Sequence, residues 1–463
     1  MSKKSIHFNV SERKILLRLF DIAVVFFVLY FVGKTFSFDY FVIDNDNWRW
    51  LFVLVLYISI FGTIFELYDL QKSSKLDKVW VSIVLTSSVT VLCYLLTPYF
   101  TPVLPENRLQ ILYFFAAISV AIFIWRFAYI SFISSPRFHN RVLLVGEISN
   151  IKSILKTFQN ADTNYKIIGY INCEVDKTLK LSFGKINEYS PKQIYEVIRD
   201  KNISEIVIAS YDSENITPDL YRDLMALLEK GVPIKEYTQV YEELTQRVPV
   251  QYVGKDFYKY FPFSRSNQNK MYLFFHRSLD IFISVIGILL GVIVLPFVIL
   301  GNCIANRGPL LYTQERIGKN GKPFNIIKYR TMITNAEKDG AVWAKKNDRR
   351  ITPFGKFMRN TRMDEMPQFI NILKGDMSFI GPRPERPHFV KELSQVLPFY
   401  ETRHIVKPGL TGWAQVKARY GASVDESLLK LQYDLYYIKH RSFVLDINIL
   451  VKTFSTIIYY RGQ

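Results

Sequence analysis

The sequence predicts a chain in three parts. These are a membrane α-helical bundle of four spans over 1–135, a Rossmann-like α/β domain over 140–255, and a C-terminal α/β domain over 270–463 that opens on a fifth apolar helix. Three observations predict it. The apolar residues, 49% of the 463, are blocked into long runs instead of being spread at core spacing. From about residue 140 to 230, short β-branched runs alternate with amphipathic stretches, the pattern of a parallel sheet wound with helices. Finally, +13 of the formal net charge of +18 falls on 305–463, where 27 Lys and Arg stand against 14 Asp and Glu.

The four N-terminal runs are Ile15–Val32, Trp50–Leu67, Val79–Leu96 and Leu109–Ile133. Each is near or above the roughly 20 residues that cross a hydrocarbon core of about 30 Å. The first is too long for a signal peptide and has no small-residue cleavage site. Flanking charge orients the bundle. Lys3, Lys4, Arg13 and Lys14 precede the first run, and Lys72, Lys75 and Lys78 lie between the second and third. The other two loops carry Asp39, Asp44 and Asp46, or Pro98, Pro102 and Pro105 with a lone Arg108. Positive loops stay in the cytoplasm, so the N-terminus is inside and the fourth crossing returns the chain to the cytoplasm at Arg137 and Arg141.

In the α/β domain, Arg141–Gly146, Lys166–Ile171 and Glu205–Ser210 read as buried parallel strands. Ile148–Gln159, Pro191–Lys201 and Pro218–Lys230 read as helices, the last closed by Gly231. The first turn would be the phosphate loop of a dinucleotide fold, yet it runs Gly146-Glu147-Ile148-Ser149-Asn150. The second and third glycines are missing and Glu147 would repel a pyrophosphate. A scaffold or regulatory domain is expected. Cys93 and Cys303 lie inside apolar runs and Cys173 stands alone, without disulfide or metal spacing.

Leu279–Gly301 is a fifth run long enough to span. It has Gly287 and Gly291, then Pro296, and basic flanks at both ends in His276, Arg277 and Arg307. An interior proline removes a helical hydrogen bond and bends the helix. These features fit a segment, about 278–303, that enters the cytoplasmic leaflet, breaks near Pro296 and returns; a kinked transmembrane helix fits the residues as well.

Two later stretches carry chemistry. In Arg307–Met332, Arg316, Lys328 and Arg330 surround a glycine-containing hairpin, suited to phosphate oxygens. In Thr361–Glu385, Pro367 starts a short helix that ends before Gly375, which places Asp364 and Glu365 at its N-terminus with Arg359 and Arg362 nearby. A carboxylate kept ionised by cations can attack phosphorus, and a magnesium ion can bridge carboxylate and pyrophosphate. A basic domain also suits anionic lipid or nucleic acid; no nucleic-acid recognition motif is present, so nucleic acid is not an expected partner.

The passages TQERIGKNGKPF, IIKYRTM, RMDEMPQFINILKGDMSFIGPRPE, KPGLTGWAQV and YDLYYI, in this order between about Tyr272 and Tyr460, resemble the bacterial sugar transferase family, the monotopic polyprenyl-phosphate hexose-1-phosphate transferases. Four membrane helices and a Rossmann-like domain ahead of them look like that family's large branch. The resemblance implies a cytoplasmic-face catalytic domain, anchored by a re-entrant helix in the bacterial inner membrane and broken at Pro296. It makes Asp364 the nucleophile that displaces UMP from a UDP-sugar and then yields the sugar phosphate to undecaprenyl phosphate. Glu365 would position magnesium and phosphate or manage protons, so Asp364 and Glu365 are also the expected metal ligands. Arg383, in Pro382-Arg383-Pro384, would reach the phosphates beside Arg316, Lys328, Arg330 and Arg362.

The expected product starts an exopolysaccharide, capsule or O-antigen chain, from UDP-glucose or else UDP-galactose. A homodimer is compatible with the large branch. Two departures stand out: Leu295-Pro296 replaces the family's frequent Ser-Pro, and Lys417-Ala418 precedes Arg419 where Asn-Gly is common. A different class of protein, a membrane scaffold for polysaccharide assembly that has lost catalysis, would fit the helices and the worn dinucleotide turn. The intact Asp-Glu pair and its arginines speak against it.

Overall fold

The computed structural model describes residues 10–36, 38, 40–41, 47–133, 139–147, 154–155, 157–158, 165–173, 186–209, 216–252, 269–334, 336, 348–418 and 423–458. The chain divides into two compact units, Met1–Thr245 and Gln246–Gln463. The sequence places the end of the α/β domain at 255, whereas Val248 and Val250 join the core of the second unit with Leu431 and Leu435.

The first unit opens with helices α1 (Val10–Thr35), α2 (Trp48–Ile64), α3 (Leu76–Leu96) and α4 (Leu109–Ala128). Leu17, Val25, Leu54, Ile58, Val79, Ile83, Phe114 and Ile118 form one shared core. Most of the remaining apolar side chains face outward, as lipid-facing positions require. By length and composition α1, α3 and α4 can each cross a bilayer. With 17 residues, α2 is shorter; it stops at Ile64, before the expected Leu67, because the chain turns at Glu66 (φ 59°). Inside the bundle the fully buried Arg126 donates to Asp21 at 2.8 Å and to the Leu67 carbonyl. That pair ties α4 to α1 where water cannot satisfy either charge.

A five-stranded, all-parallel sheet follows, in the order β3-β2-β1-β4-β5. Its strands are β1 (Asn140–Gly146), β2 (Tyr165–Asn172), β3 (Asn187–Tyr189), β4 (Glu205–Ala209) and β5 (Ile234–Glu236). Helices α5 (Ile194–Asp200), α6 (Pro218–Glu229) and α7 (Tyr237–Thr245) intervene or follow. The three longer strands and the helices at 191–201 and 218–230 lie where the sequence puts them. Thr217 caps α6 through its hydroxyl, and Gly231 (φ 84°) ends it. Most of the helix expected over Ile148–Gln159 lies outside the described residues.

The second unit begins with α8 (Lys270–Gly301). Its other elements are the hairpin β6 (Leu311–Ile317) and β7 (Pro323–Tyr329), then α9 (Pro353–Asn360), α10 (Gln368–Lys374), β8 (Ser378–Ile380), α11 (Pro387–Val396), β9 (Gly409–Thr411), α12 (Val424–His440) and α13 (Phe443–Ile458). The helix break expected at Pro296 is not found there. Helix α8 continues through Pro296 to Gly301, and the irregular turn comes later, as a π-turn over Asn302–Asn306 followed by Arg307 at φ 34°. The ring of Pro296 costs one hydrogen bond, but packing holds the helix on both sides of it. Val294, Leu295 and Val298 join Tyr329, Met358 and Phe354 in one cluster. Further back, Gly287 lies so close to the Phe369 ring of α10 that a Cβ there would approach it to 2.5 Å.

Candidate functional site

Three elements meet at the dyad. Helix α9 starts at Thr352-Pro353, where the threonine hydroxyl accepts from the Gly355 amide at 2.9 Å. Arg362, just beyond α9, sits in the left-handed region (φ 59°) and directs the 3₁₀ turn Met363–Glu365 inward. A non-glycine residue pays about 1–2 kcal/mol for that conformation, and the Arg362 guanidinium 3.7 Å from Glu365 offsets part of it. Pro367 then caps α10, which ends at Gly375 (φ 94°) as the sequence predicts. The dyad therefore precedes α10 in a turn of its own, instead of forming the helix's first turn.

Asp364 and Glu365 are both buried, and their surroundings differ. Oε1 of Glu365 accepts from Arg383 at 2.7 Å and from Lys328 at 3.4 Å. Burial raises its pKa, but Arg383, Lys328 and Arg362 outweigh burial and hold the carboxyl well below the usual range. Asp364 moves the opposite way. Burial, and then the charge of Glu365, push it above the ordinary carboxylate range, against Lys328, Arg359 and Arg362. Its Oδ1 is buried without a hydrogen-bond partner among the described residues. One carboxylate is thus a fixed anion clamped by cations, and the other keeps an unsatisfied oxygen.

The predicted cations divide into three groups. Lys328, Arg362 and Arg383 reach Glu365 directly. Arg316 stands behind them: it donates to the Pro384 carbonyl at 3.3 Å and to Gln314 at 2.8 Å, supporting the Pro-Arg-Pro loop. Arg330 does not come to the dyad. Its donors go to the carbonyls of Pro309, Met332 and Asn306 and to Asn302. It fastens the exit of α8, because a chain leaving a helix through a π-turn has carbonyls that need donors.

Sequence reasoning leaves out two supports. Arg403 donates to Tyr400, to Asp434 and to the Arg383 carbonyl, which fixes the loop carrying Arg383. Lys430 lines the same space. For Arg403 a signal was present, since it precedes KPGLTGW and its partner Asp434 lies in YDLYYI, but neither residue has chemistry readable without the other. Glycines let the motifs meet. A Cβ on Gly381 would lie 2.4 Å from the Lys407 carbonyl, and one on Gly409 would lie 2.1 Å from the Gly381 nitrogen, so β8 and β9 approach closer than any side chain allows.

Beside the dyad is a cavity of about 270 Å³. Arg362, Glu365, Arg383 and Lys430 give it a polar wall; Met366, Phe369, Phe379 and Leu410 give it an apolar one. Among the described residues no three His, Cys, Asp or Glu side chains gather to hold a metal ion. Magnesium asks for less, taking one or two carboxylates and completing its shell with phosphate oxygens and water. The Asp364 carboxylate, which no cation engages by a hydrogen bond among the described residues, fits that role. Glu365, with Oε1 engaged by two cations, fits only by releasing one.

One unit thus holds both a helix long and apolar enough to cross a membrane and a buried carboxylate pair among arginines. Residues 271–460 match the family described as bacterial sugar transferase. A UDP-N-acetylgalactosamine-undecaprenyl-phosphate N-acetylgalactosaminephosphotransferase of Aeromonas hydrophila is 38% identical over 255 residues, 55% of this chain and 59% of that protein, so this match spans about three-fifths of the relative's length. A Bacillus subtilis (strain 168) protein, provisionally named an undecaprenyl-phosphate N-acetylgalactosaminyl 1-phosphate transferase, is 46% identical over 141 residues, 30% of this chain and 79% of that protein. A UDP-glucose:undecaprenyl-phosphate glucose-1-phosphate transferase of Klebsiella pneumoniae is 27% identical over 465 residues, 96% of this chain and 95% of that protein. The chain belongs to the bacterial sugar transferase family.

Proposed function

We propose that this protein transfers a hexose-1-phosphate from a UDP-sugar to undecaprenyl phosphate, with release of UMP, as the first step of a surface polysaccharide. The observation that carries the reading is the unpartnered, buried Oδ1 of Asp364 beside a Glu365 clamped by Arg383 and Lys328. That oxygen attacks the phosphorus next to the sugar. The bond from this phosphorus to the bridging oxygen breaks, and UMP leaves with the oxygen and its electron pair. A phosphate oxygen of the lipid then attacks the same phosphorus and the Asp364 carboxylate departs. Glu365 holds Arg383 and Lys328 in place, so that their positive charge faces the phosphates through both steps. The other oxygen of the Asp364 carboxylate would hold Mg²⁺ together with the donor's phosphate oxygens. The ion would neutralise phosphate charge that otherwise repels the nucleophile.

Helix α8 is read as re-entrant, and the domain it carries as lying on the cytoplasmic face of the inner membrane. At about 1.5 Å per residue its 32 residues extend about 48 Å, yet both ends contact the same unit. Arg277 donates to the carbonyls of Ile372 and Leu373, and Asp280 accepts from Ser378 and the Phe379 amide. At the far end Asn302 donates to the Gly308 carbonyl ahead of β6, and Asn306 to the Arg330 carbonyl just beyond β7. A helix crossing the bilayer would carry those ends to opposite faces. The parallel sheet of the first unit, with its strand order and its worn turn, is read as a Rossmann-like scaffold.

For the donor, UDP-glucose is the reading from sequence. The identities of 38% and 46% to proteins named for N-acetylgalactosamine favour UDP-N-acetylgalactosamine as a second. Release of UMP from a panel of UDP-sugars by the purified full chain with polyprenyl phosphate tests both. Asp364→Asn is expected to release none, and wild-type turnover from that variant would sink the mechanism.

A further inference from the structure

One wall of the cavity beside the dyad carries a fixed hydrogen-bond acceptor. Gln415 lines that cavity together with Glu365 and Arg383, on the short helical turn Trp413–Lys417 that follows β9. Its Nε2 donates to the Leu410 carbonyl at 2.9 Å. A carbonyl only accepts, so this bond sets the amide with its nitrogen toward Leu410 and its oxygen on the other side. That oxygen, Oε1, is buried and has no hydrogen-bond partner among the described residues. The turn beneath it is held. Trp413 is buried, stacks on Tyr436 with ring centroids 6.4 Å apart, and donates through Nε1 to the Gln246 carbonyl. Gly412 joins the acceptor to the loop that carries Arg383. A Cβ on Gly412 would lie 2.1 Å from the Gly381 carbonyl and 3.3 Å from Gln415 Oε1, and Gly381 directly precedes Pro382-Arg383-Pro384.

A buried acceptor in a native protein is satisfied by protein, by water or by a ligand. The threonine hydroxyls in the same wall are directed elsewhere. Thr453 gives its one proton to the Ile449 carbonyl, so Thr411 is the donor in their 2.7 Å contact, and Thr456 donates to the Lys452 carbonyl. Ionised phosphates and a polyprenyl chain have no donor to offer. In the substrates of the proposed reaction, donors remain on the sugar, as hydroxyls or as the N–H of an acetamido group, and on the nucleoside. The phosphorus that Asp364 attacks is one oxygen away from the sugar ring, whereas the nucleoside lies beyond a second phosphate. The cavity, at about 270 Å³, is also smaller than the roughly 300–1,000 Å³ that encloses a drug-sized ligand, which suits one ring and not a whole nucleotide sugar.

We propose that Gln415 is a specificity-determining residue of the donor site, its Oε1 accepting a hydrogen bond from a hydroxyl or acetamido N–H of the transferred hexose. The assignment rests on the cavity being the place where Asp364 meets the donor. It gives the site a contact that differs between sugars, since the cations around Glu365 meet phosphates that every UDP-sugar shares. A site built to accept from one substrate group rejects the analogue that lacks it, because the acceptor is then left unpaired.

The test uses the full chain with polyprenyl phosphate and the UDP-hexose it turns over, beside analogues that each lack one donor group of the ring. Wild type is expected to lose about tenfold in kcat/KM with one analogue. Gln415→Met, similar in length and without an acceptor, is expected to lose about tenfold with the parent sugar and nothing further with that same analogue. Its unpaired Leu410 carbonyl affects every donor equally and so cancels from the comparison. If Gln415→Met does not fold, wild type alone still decides: losses below about twofold with every analogue overturn the proposal. An equal loss by Gln415→Met with all donors, parent and analogue, also overturns it, since the role would then be structural or met by water. So does a loss that disappears only when uracil N3 is methylated or a ribose hydroxyl is removed, because the nucleoside would be the partner. Calorimetric binding of the same donors to Asp364→Asn, with and without Gln415→Met, reads the contact without turnover. The same pattern there, in a chain that releases no UMP from any UDP-sugar, would refute the reaction and support this site.

Discussion

The guanidinium of Arg403 donates to the backbone carbonyl of Arg383 at 3.0 Å and, from the same nitrogen, to Asp434 at 2.8 Å. Arg383 in turn reaches Glu365 at 2.7 Å, so the placement of the clamp depends on a residue outside it. Lysine cannot reproduce the fork, having one compact ammonium in place of a planar group with fixed donors. Arg403→Lys is therefore expected to cut kcat by about 10- to 100-fold through misplacement of Arg383. Steady-state kinetics on folded variant provide the check; an unchanged kcat would remove Arg403 from the machinery.

The opposite shifts of the two carboxylates set the acid side of the pH profile. Asp364 must be ionised to attack. Burial and the charge of Glu365 raise its pKa, so turnover should fall as pH drops through a value above the ordinary carboxylate range. Glu365→Gln removes the neighbouring charge. Any residual activity should then have its acid limb at lower pH, measured as kcat/KM for the UDP-sugar.

Lys328 sets the alkaline side. Burial, opposed by Glu365 and assisted by Arg383, lowers its pKa to about 8. The lysine is charged below that value and neutral above it, so the clamp weakens as pH rises past about 8. A falling alkaline limb is expected in the wild type. Lys328→Met should be slow at every pH and lack that limb; a profile that still falls at the same place would assign the limb to another group.

Much of this organisation was legible beforehand because hydrophobic runs, β-branched strands and helix stops are local signals. Pro218 and Gly231 bracket α6 from sequence alone. Gly375 likewise marks the end of α10. Long-range partners were not legible. Arg330 reads like Lys328, two residues away, yet β7 ends at Tyr329 and the π-turn at Asn302–Asn306 takes the donors of Arg330 at the exit of α8. Pro296 reads as a break, but packing of Val294, Leu295 and Val298 carries the helix through it. Arg403 acquires a role only when β9 brings the chain back against Gly381.

The two glycines at that return make a prediction about stability. Gly381→Ala would put a methyl 2.4 Å from the Lys407 carbonyl, where backbone on both sides cannot yield cheaply. Overpacking of this kind costs about 1–3 kcal/mol or more. A lowered melting temperature is expected together with lost activity, because the displaced segment carries Arg383. A variant with wild-type melting and activity would mean that β8 and β9 stand further apart.

Arg330 separates a structural from a substrate-binding arginine. Its donors satisfy carbonyls at the end of α8, and each acceptor left unpaired in a buried site costs about 1–3 kcal/mol. Arg330→Lys should therefore lower the melting temperature clearly, while the molecules that remain folded keep a wild-type KM for the UDP-sugar. Arg383→Lys should do the reverse, with little change in melting and a large fall in kcat/KM, since its partner Glu365 and the phosphates it faces are both in the site. Melting curves and kinetics on the two purified variants decide the matter. If Arg330→Lys raised KM at unchanged stability, the guanidinium would have to leave its carbonyl ligands for the phosphates during turnover, and the anchoring role assigned to it would be wrong.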